Sequence, residues 1–503
     1  MKIKSSSIAV AFCCALLFAG CAVGPNFKKP ANDVADRWAA THETASANSF
    51  SGFSASPVDA QWWRTFGDSK LASLVNRVAN LNLDVQVATA RLAQARAARQ
   101  MTGADALPSL DGSGSYQHDR SSQNGVLDIS GLNGKSDYNL WQPGLDASWE
   151  LDLWGRVRRE IESSNASLHA VEDLRRDVLL SVISETARDY IALRGTQQQQ
   201  VIVAQNLDVA KHSLALIRIQ FADGVSTQLE IAQELAEVAE IEGQLPVLHN
   251  RYVHSVNALS FLVGEKPDSL EAELSQTTPI PSVPPTVPLG LPSSLAERRP
   301  DIREAEARLH AATAQIGVAI GDFYPKITLS ANFSVQAQHF SDLDEWSSRM
   351  FGVGPSISIP LFEGARLKGQ LALRKAQQQE AAIHFQRTVL NAWEEVDNAM
   401  SDYTSDQAHL LKLQESANQN QSALDIAQHQ YVAGVTGFLN VLVVQKSLLS
   451  SQEAVTAARV DVSLSLVRLY KTLGGGWESI LPLSSTNSAQ RVLATRTLAR
   501  GID

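Results

Sequence analysis

The chain has 503 residues, 44% of them hydrophobic and 19% charged, with a formal net charge of −10. That length ordinarily supports two or three domains with sizeable cores, and the balance points to neither a disordered chain nor a bundle of membrane-spanning helices. An acidic net charge gives no electrostatic ground for nucleic acid as a partner.

Lys2 and Lys4 precede an apolar run from Ile8 to Phe18, the pattern of an export signal over residues 1–20. The run closes in Leu17-Phe18-Ala19-Gly20-Cys21, which resembles the bacterial lipobox, although Phe18 stands where Leu is usual. The resemblance implies acylation of Cys21, with cleavage just before it. Ala22 replaces the Asp that typically retains lipoproteins at the inner membrane. Ordinary signal cleavage beside an unmodified Cys21 is the alternative. Cys13 and Cys14 fall inside the signal, so the mature chain keeps Cys21 alone and no internal disulfide is expected. Past residue 20 no apolar run approaches the ~20 residues a spanning helix requires.

Residues 21–60, with Pro25, Pro30 and Pro57, are expected to form an extended, lipid-anchored tether. Leu71 to Met101 carries Leu71, Leu74, Val75, Val78, Leu81, Val85, Ala88 and Leu92 at helical spacing, and Pro108 ends that helix. From Leu145 the pattern alternates: Leu145, Ala147, Trp149, Leu151 and Leu153 point one way, Asp146, Ser148, Glu150 and Asp152 the other. Ile327 to Gln336 and Val353 to Leu361 alternate similarly, while a fourth candidate strand, Leu110 to Tyr116, is Gly-rich. Strict alternation over about ten residues suits a transmembrane β-strand, apolar toward lipid and polar toward a lumen. Half-buried strands of a soluble sandwich alternate in the same way.

Between these strand pairs, Arg156 to Gln220 and Arg366 to Gln430 lack proline and predict two very long helices, the first with an interruption expected near Gly195. At about 1.5 Å per residue each reaches roughly 95–100 Å. Their mix of Ala, Leu, Gln and Glu suits long antiparallel coiled-coil contacts. Each turns at a glycine, Gly224 or Gly434, and returns as Gln228–Leu262 or Phe438–Leu473. The chain therefore states one plan twice. Ala90-Arg91-Leu92 and Pro108 recur 217 residues later at Ala307-Arg308-Leu309 and Pro325, and the turn at Gln220–Ser226 recurs 210 residues later at Gln430–Thr436. This sets a first repeat over 61–278, a proline-rich linker over 279–292, a second repeat over 293–475 and a tail over 476–503.

Four membrane-type strands cannot close a barrel, for which about eight is the minimum. Open sheet edges in hydrocarbon cost several kcal/mol per unpaired backbone group. The strands must therefore close by oligomerisation, and polar inward faces favour three chains and twelve strands around a water-filled channel.

Trp62-Trp63-Arg64-Thr65-Phe66-Gly67-Asp68, Trp149-Glu150-Leu151-Asp152-Leu153-Trp154-Gly155-Arg156 and Glu297-Arg298-Arg299-Pro300-Asp301-Ile302 closely resemble motifs of the outer-membrane efflux proteins. The chain is similar to the TolC-like, NodT-type lipoproteins of tripartite export systems over nearly all its length after Cys21. The resemblance implies a mixed α and β membrane protein: a homotrimeric twelve-stranded β-barrel, four strands per chain, continued by a long periplasmic α-helical barrel. It implies a passive conduit without cofactor or catalysis, an inner-membrane transporter (often a proton-driven RND pump), a periplasmic adaptor and a setting in outer-membrane lipid. It also implies a gate where the helical tips converge. The matching turns are Gly224-Val225-Ser226 and Gly434-Val435-Thr436, candidates for adaptor contact. Leu439 keeps a leucine common in gate rings, but Val443 stands at the usual acid, Asn440 at another, and Lys446 where Arg is frequent. An apolar constriction at Leu439 and Val443 would exclude water. In the first repeat Leu229, Glu230 and Glu234 occupy comparable ground; simple coiled-coil packing is the alternative for each.

Enzymatic readings find little. Gly131-Leu132-Asn133-Gly134-Lys135-Ser136 lacks the first glycine of a phosphate loop, where Ile129 stands. His249 and His254, five apart on a helix, diverge and make a poor metal pair. Asp146, Glu150 and Asp152 read as solvated lumen carboxylates rather than glycosidase groups. The competing class is a lipid-anchored periplasmic coiled-coil adaptor, against which the duplicated strand pairs argue. A passive diffusion porin has no use for helices nearly 100 Å long.

Overall fold

The computed structural model describes residues 22–30, 38, 52–120, 122 and 137–481. The export signal, Cys21, the phosphate-loop-like stretch at 131–136 and most of the tail lie outside the described residues. In chain order the elements are β1 (Gly52–Ser54), α1 (Ser69–Leu81), α2 (Leu83–Ala104), β2 (Ser109–Arg120), β3 (Asp137–Glu150), α3 (Arg156–Ala222) and α4 (Gln228–Val263). There follow β4 (Thr286–Pro288), α5 (Pro300–Gly321), β5 (Lys326–Val335), β6 (Arg349–Ser358), α6 (Arg366–Val432) and α7 (Phe438–Thr472), with short helical turns between. No helix among the described residues is long and apolar enough to cross a membrane.

The chain divides into two compact units, each drawing on both repeats. One comprises residues 1–30, 92–171 and 304–386; the other comprises 31–91, 172–303 and 387–503.

The first unit is organised by an antiparallel sheet of order β2-β3-β5-β6. The central pairing, β3 with β5, joins the two repeats, while β2 and β6 each pair on one side only. The register aligns like with like. Leu110, Ala147, Ala331 and Val353 form one row and Leu145, Phe333 and Phe351 another, so apolar side chains share a face. Asp111, Asp146 and Asn332 line up on the opposite face, beside a row of Ser109, Ser148 and Ser330. Leu110, Leu145, Phe333, Phe351 and Val353 are all solvent-exposed in the isolated chain. A monomer in water would leave this apolar face uncovered, and contiguous exposed apolar faces mark interaction or membrane surfaces.

The corner from β3 into α3 explains the second sequence motif. Asp152 caps α3, its carboxylate accepting from the backbone N–H groups of Val157 at 3.1 Å and Arg158 at 2.9 Å. Glu150 takes both arms of the Arg156 guanidinium, at 3.0 and 2.9 Å, and Lys326 of β5 stands 3.4 Å away. Trp149 and Trp154 donate their indole N–H groups to the carbonyls of Ala106 and Pro325. An N-terminal strap, residues 22–30, lies against this corner: Val23 N–H donates to the Trp154 carbonyl, and Arg159 donates to Val23 O and Asn26 Oδ1. Phe27 stacks on His310 with ring centroids 4.4 Å apart.

The second unit is a helical bundle. Trp62, Trp63 and Phe66 are fully buried in a 3₁₀ turn that Gly67 ends at φ +66°. Asp68 then caps α1 and accepts from the Tyr190 hydroxyl at 2.7 Å. Trp62 stacks on Tyr470, 5.2 Å between centroids, and donates to Gly475 O. Arg299, from the third motif, pairs with Asp301 and Glu395 and donates to Thr472 O. The three signatures are thus corner and helix-end devices.

Four local expectations change. The helix expected over Leu71 to Met101 is two helices, because buried Asn82 ends α1, caps α2 through Asp84 and Val85 N–H, and donates to Leu262 O. Gly195 does not interrupt α3, which runs unbroken for 67 residues, about 100 Å at the α-helical rise. A Cβ at Gly195 would lie 2.3 Å from Val460 Cγ2, so the glycine admits α7 closely. Part of the expected tether, Gly52–Ser54, pairs in parallel with Thr286–Pro288 of the linker. Beyond α7, Trp477 is buried and faces the Arg176 and Arg303 guanidinium groups, 5.1 and 5.9 Å from its ring centroid.

Candidate functional site

The candidate site is the pair of reversals joining α3 to α4 and α6 to α7. Both end a 67-residue helix in the same way. Val225 N–H bonds to Gln220 O at 2.8 Å and Gly224 N–H to Phe221 O at 3.1 Å; Val435 bonds to Gln430 O at 2.9 Å and Gly434 to Tyr431 O at 3.0 Å. This is the Schellman arrangement, which needs a left-handed residue after the helix. Gly224 at φ +76° and Gly434 at φ +72° supply it. Val225 and Val435 are therefore pushed outward, 76% and 75% exposed.

The helices that follow start differently. Thr227 and Glu230 form a capping box, with Thr227 N–H donating to Glu230 Oε2 at 2.9 Å and Glu230 N–H to Thr227 Oγ1 at 3.3 Å. At α7 the cap position is Gly437, which has no side chain to offer. There Asn440 bonds instead to the Thr436 hydroxyl.

The six candidate gate residues separate into two groups. Leu229, Leu439 and Val443 are more than half exposed in the isolated chain, with Leu439 and Val443 one turn apart on a single face of α7. Of the charged three, two are partnered within the chain and one is buried. Glu230 serves the cap. Lys446 pairs with Glu237 at 2.6 Å and Glu240 at 3.0 Å, across from α7 to α4. Those two acids hold the Lys446 ammonium above its usual pKa range, through hydrogen bonds first and charge second. Glu234 is wholly buried, and neither carboxylate oxygen has a hydrogen-bond partner. Desolvation raises its pKa to about 7, with Glu237 adding and Lys446 opposing. Glu237, Glu240 and Gln445 escaped the sequence reading. The core positions Ile231, Val238 and Ile241 carry the signal that could have found Glu234's burial, since it falls in their heptad frame.

Beneath the turns, α3, α4, α6 and α7 share an apolar core that includes Leu214, Ile217, Ile231, Leu424, Phe438 and Val441. Tyr431 packs on Phe438 and donates its hydroxyl to Gln220 at 2.5 Å, tying the two reversals together. Among the described residues there is no cluster of metal ligands. The arrangement is a double hairpin with a shared apolar core and apolar tips.

Residues 74–265 and 291–475 match the outer membrane efflux protein family. The pyoverdine export outer membrane protein OpmQ of Pseudomonas aeruginosa is 33% identical over 421 residues, spanning 83% of this chain and 88% of its own. The cation efflux system protein CusC of Escherichia coli is 28% identical over 465 residues, 92% of this chain and 98% of that one. The solved outer-membrane channel OprN superposes with a TM-score of 0.84 at 33% identity, covering 91% of this chain and all of its own. The fold is that of the TolC-like channels. The chain belongs to the outer membrane efflux protein family, and its function is that of an outer-membrane channel in a tripartite efflux pump.

Proposed function

We propose that three copies of the chain close one conduit, β2 of each copy pairing with β6 of the next to complete twelve strands. One observation carries this reading: a four-stranded sheet with two unpaired edges and an exposed apolar face. The apolar face is unfavourable in water and the open edges are unfavourable in lipid; joining copies edge to edge closes the edges, so that the face can meet lipid. The apolar rows then meet lipid, and the rows of Asp111, Asp146, Asn332 and the serines meet the lumen. Cargo passes by diffusion; energy comes from an inner-membrane transporter reached through a periplasmic adaptor. The chain itself performs no chemistry.

Leu439, Val443 and Leu229 form an apolar constriction when the tips converge, and the turns at Gly224 and Gly434 receive the adaptor. Cys21 carries an acyl anchor, a reading supported by the strap at 22–30, which holds the following residues against the β3–α3 corner. Relatives are named for cargoes as unlike as pyoverdine and cations, which suits a conduit whose cargo is chosen upstream. Membrane fractionation with gel mobility tests the reading. The protein should sediment with outer membrane and migrate as a heat-modifiable oligomer; recovery at the inner membrane as a heat-insensitive monomer would favour the adaptor reading instead.

A further inference from the structure

The helix α4 meets α7 along a coiled-coil seam whose core positions run Ile231, Glu234, Val238, Ile241 on one side and Phe438, Val441 and Leu442, Gln445, Leu448 and Leu449 on the other. Each side substitutes one polar residue for an apolar one, and at nearly the same depth. Glu234 is the seventh residue of α4 and Gln445 the eighth of α7, both about 10 Å from the reversals at the helical rise. Both side chains are buried, 0% and 2% exposed, and no polar atom of either has a partner. A coiled coil with an amide alone could be satisfied by register; a bare carboxylate there bears a desolvation cost that protonation removes.

The charged surroundings are one-sided. From its own helix Glu234 faces Glu237, and from α7 it faces Lys446, which Glu237 and Glu240 already neutralise. The core residues that α3 and α6 bring to this level, among them Leu214, Ile217 and Leu424, are apolar. The histidines of those helices nearest the reversals, His212 and His429, are exposed and bond to the carbonyls of Asp208 and Asp425 in their own turns.

We propose that Glu234 is a proton-controlled latch of the α4–α7 seam, holding the helices together when neutral and loosening them when ionised. The sign follows from linkage. The closed seam raises the carboxyl to about 7, whereas a water-exposed glutamate titrates near 4.3. Closure is therefore favoured most at low pH, weakens as pH rises toward 7, and is flat above it. Between pH 6 and 8 the opening equilibrium should increase about tenfold. The latch rests on the channel reading only for its consequence, tips that part more readily as pH rises.

Hydrogen exchange of the full chain in detergent, followed over residues 228–245 and 438–452 and corrected for intrinsic chemistry, tests it without reference to any pore. Wild type should show the roughly tenfold step between pH 6 and 8; Glu234→Gln should abolish it and stay protected throughout. Glu237→Gln, which removes the like charge, should keep the step but move its midpoint down. A step that survives in Glu234→Gln, an absent step in wild type, or an unmoved midpoint in Glu237→Gln would overturn the proposal.

Discussion

Asp152 illustrates how a conspicuous motif residue can be architectural. Its carboxylate caps α3 and also accepts from the Arg158 side chain at 3.1 Å. Asp152→Ala should cost about 1 kcal/mol, the usual loss of an N-cap, while Asp152→Asn, which still caps, should cost much less; thermal melts of the detergent-solubilised protein will separate them. Glu230 was legible as a tip residue but not as a capping residue, because its role depends on where α4 begins. Glu230→Gln keeps the box and should leave the melting temperature nearly unchanged. If Glu230 instead lined the gate, that substitution would alter conductance while stability stayed put. Glu234 was legible by position, and the flanking Ile231 and Val238 carry the core frame that buries it.

Helices and turns were the most legible elements. Proline-free stretches predict α3 and α6, and the glycine reversals that follow them place α4 and α7, all to within a few residues. What escaped was close packing. Gly195 looked like a breaker, yet the unbroken helix needs its missing side chain because Val460 sits where a Cβ would go. Gly195→Val should therefore lower stability by about 1–3 kcal/mol through overpacking, despite valine's better helix propensity, and differential scanning calorimetry measures the outcome. The two reversals also differ in a way the repeat itself makes testable. α4 starts with the Thr227–Glu230 box, whereas α7 starts with uncapped Gly437. Gly437→Thr combined with Asn440→Glu rebuilds the box in the second repeat, and amide exchange in the first turn of α7 should slow several-fold, the equivalent of about 1 kcal/mol.

For the whole molecule, duplication explains the sheet. Each repeat contributes two strands, and the β3–β5 pairing unites them into one four-stranded antiparallel sheet whose outer edges, on β2 and β6, remain unpaired in the isolated chain. The alternation around Leu145 and Ile327 was readable in the sequence; the Gly-rich β2 was only faintly so, because glycines blunt the apolar signal. Nothing local in the sequence announced that Gly52–Ser54 would pair with the linker, a contact across more than 230 residues. The account's central claim is that such a sheet persists only when neighbouring copies complete it. Native mass spectrometry of the purified full-length protein in mild detergent measures this directly: the predicted species contains three chains, and a monomer that stays soluble without detergent after removal of any acyl group would contradict the claim.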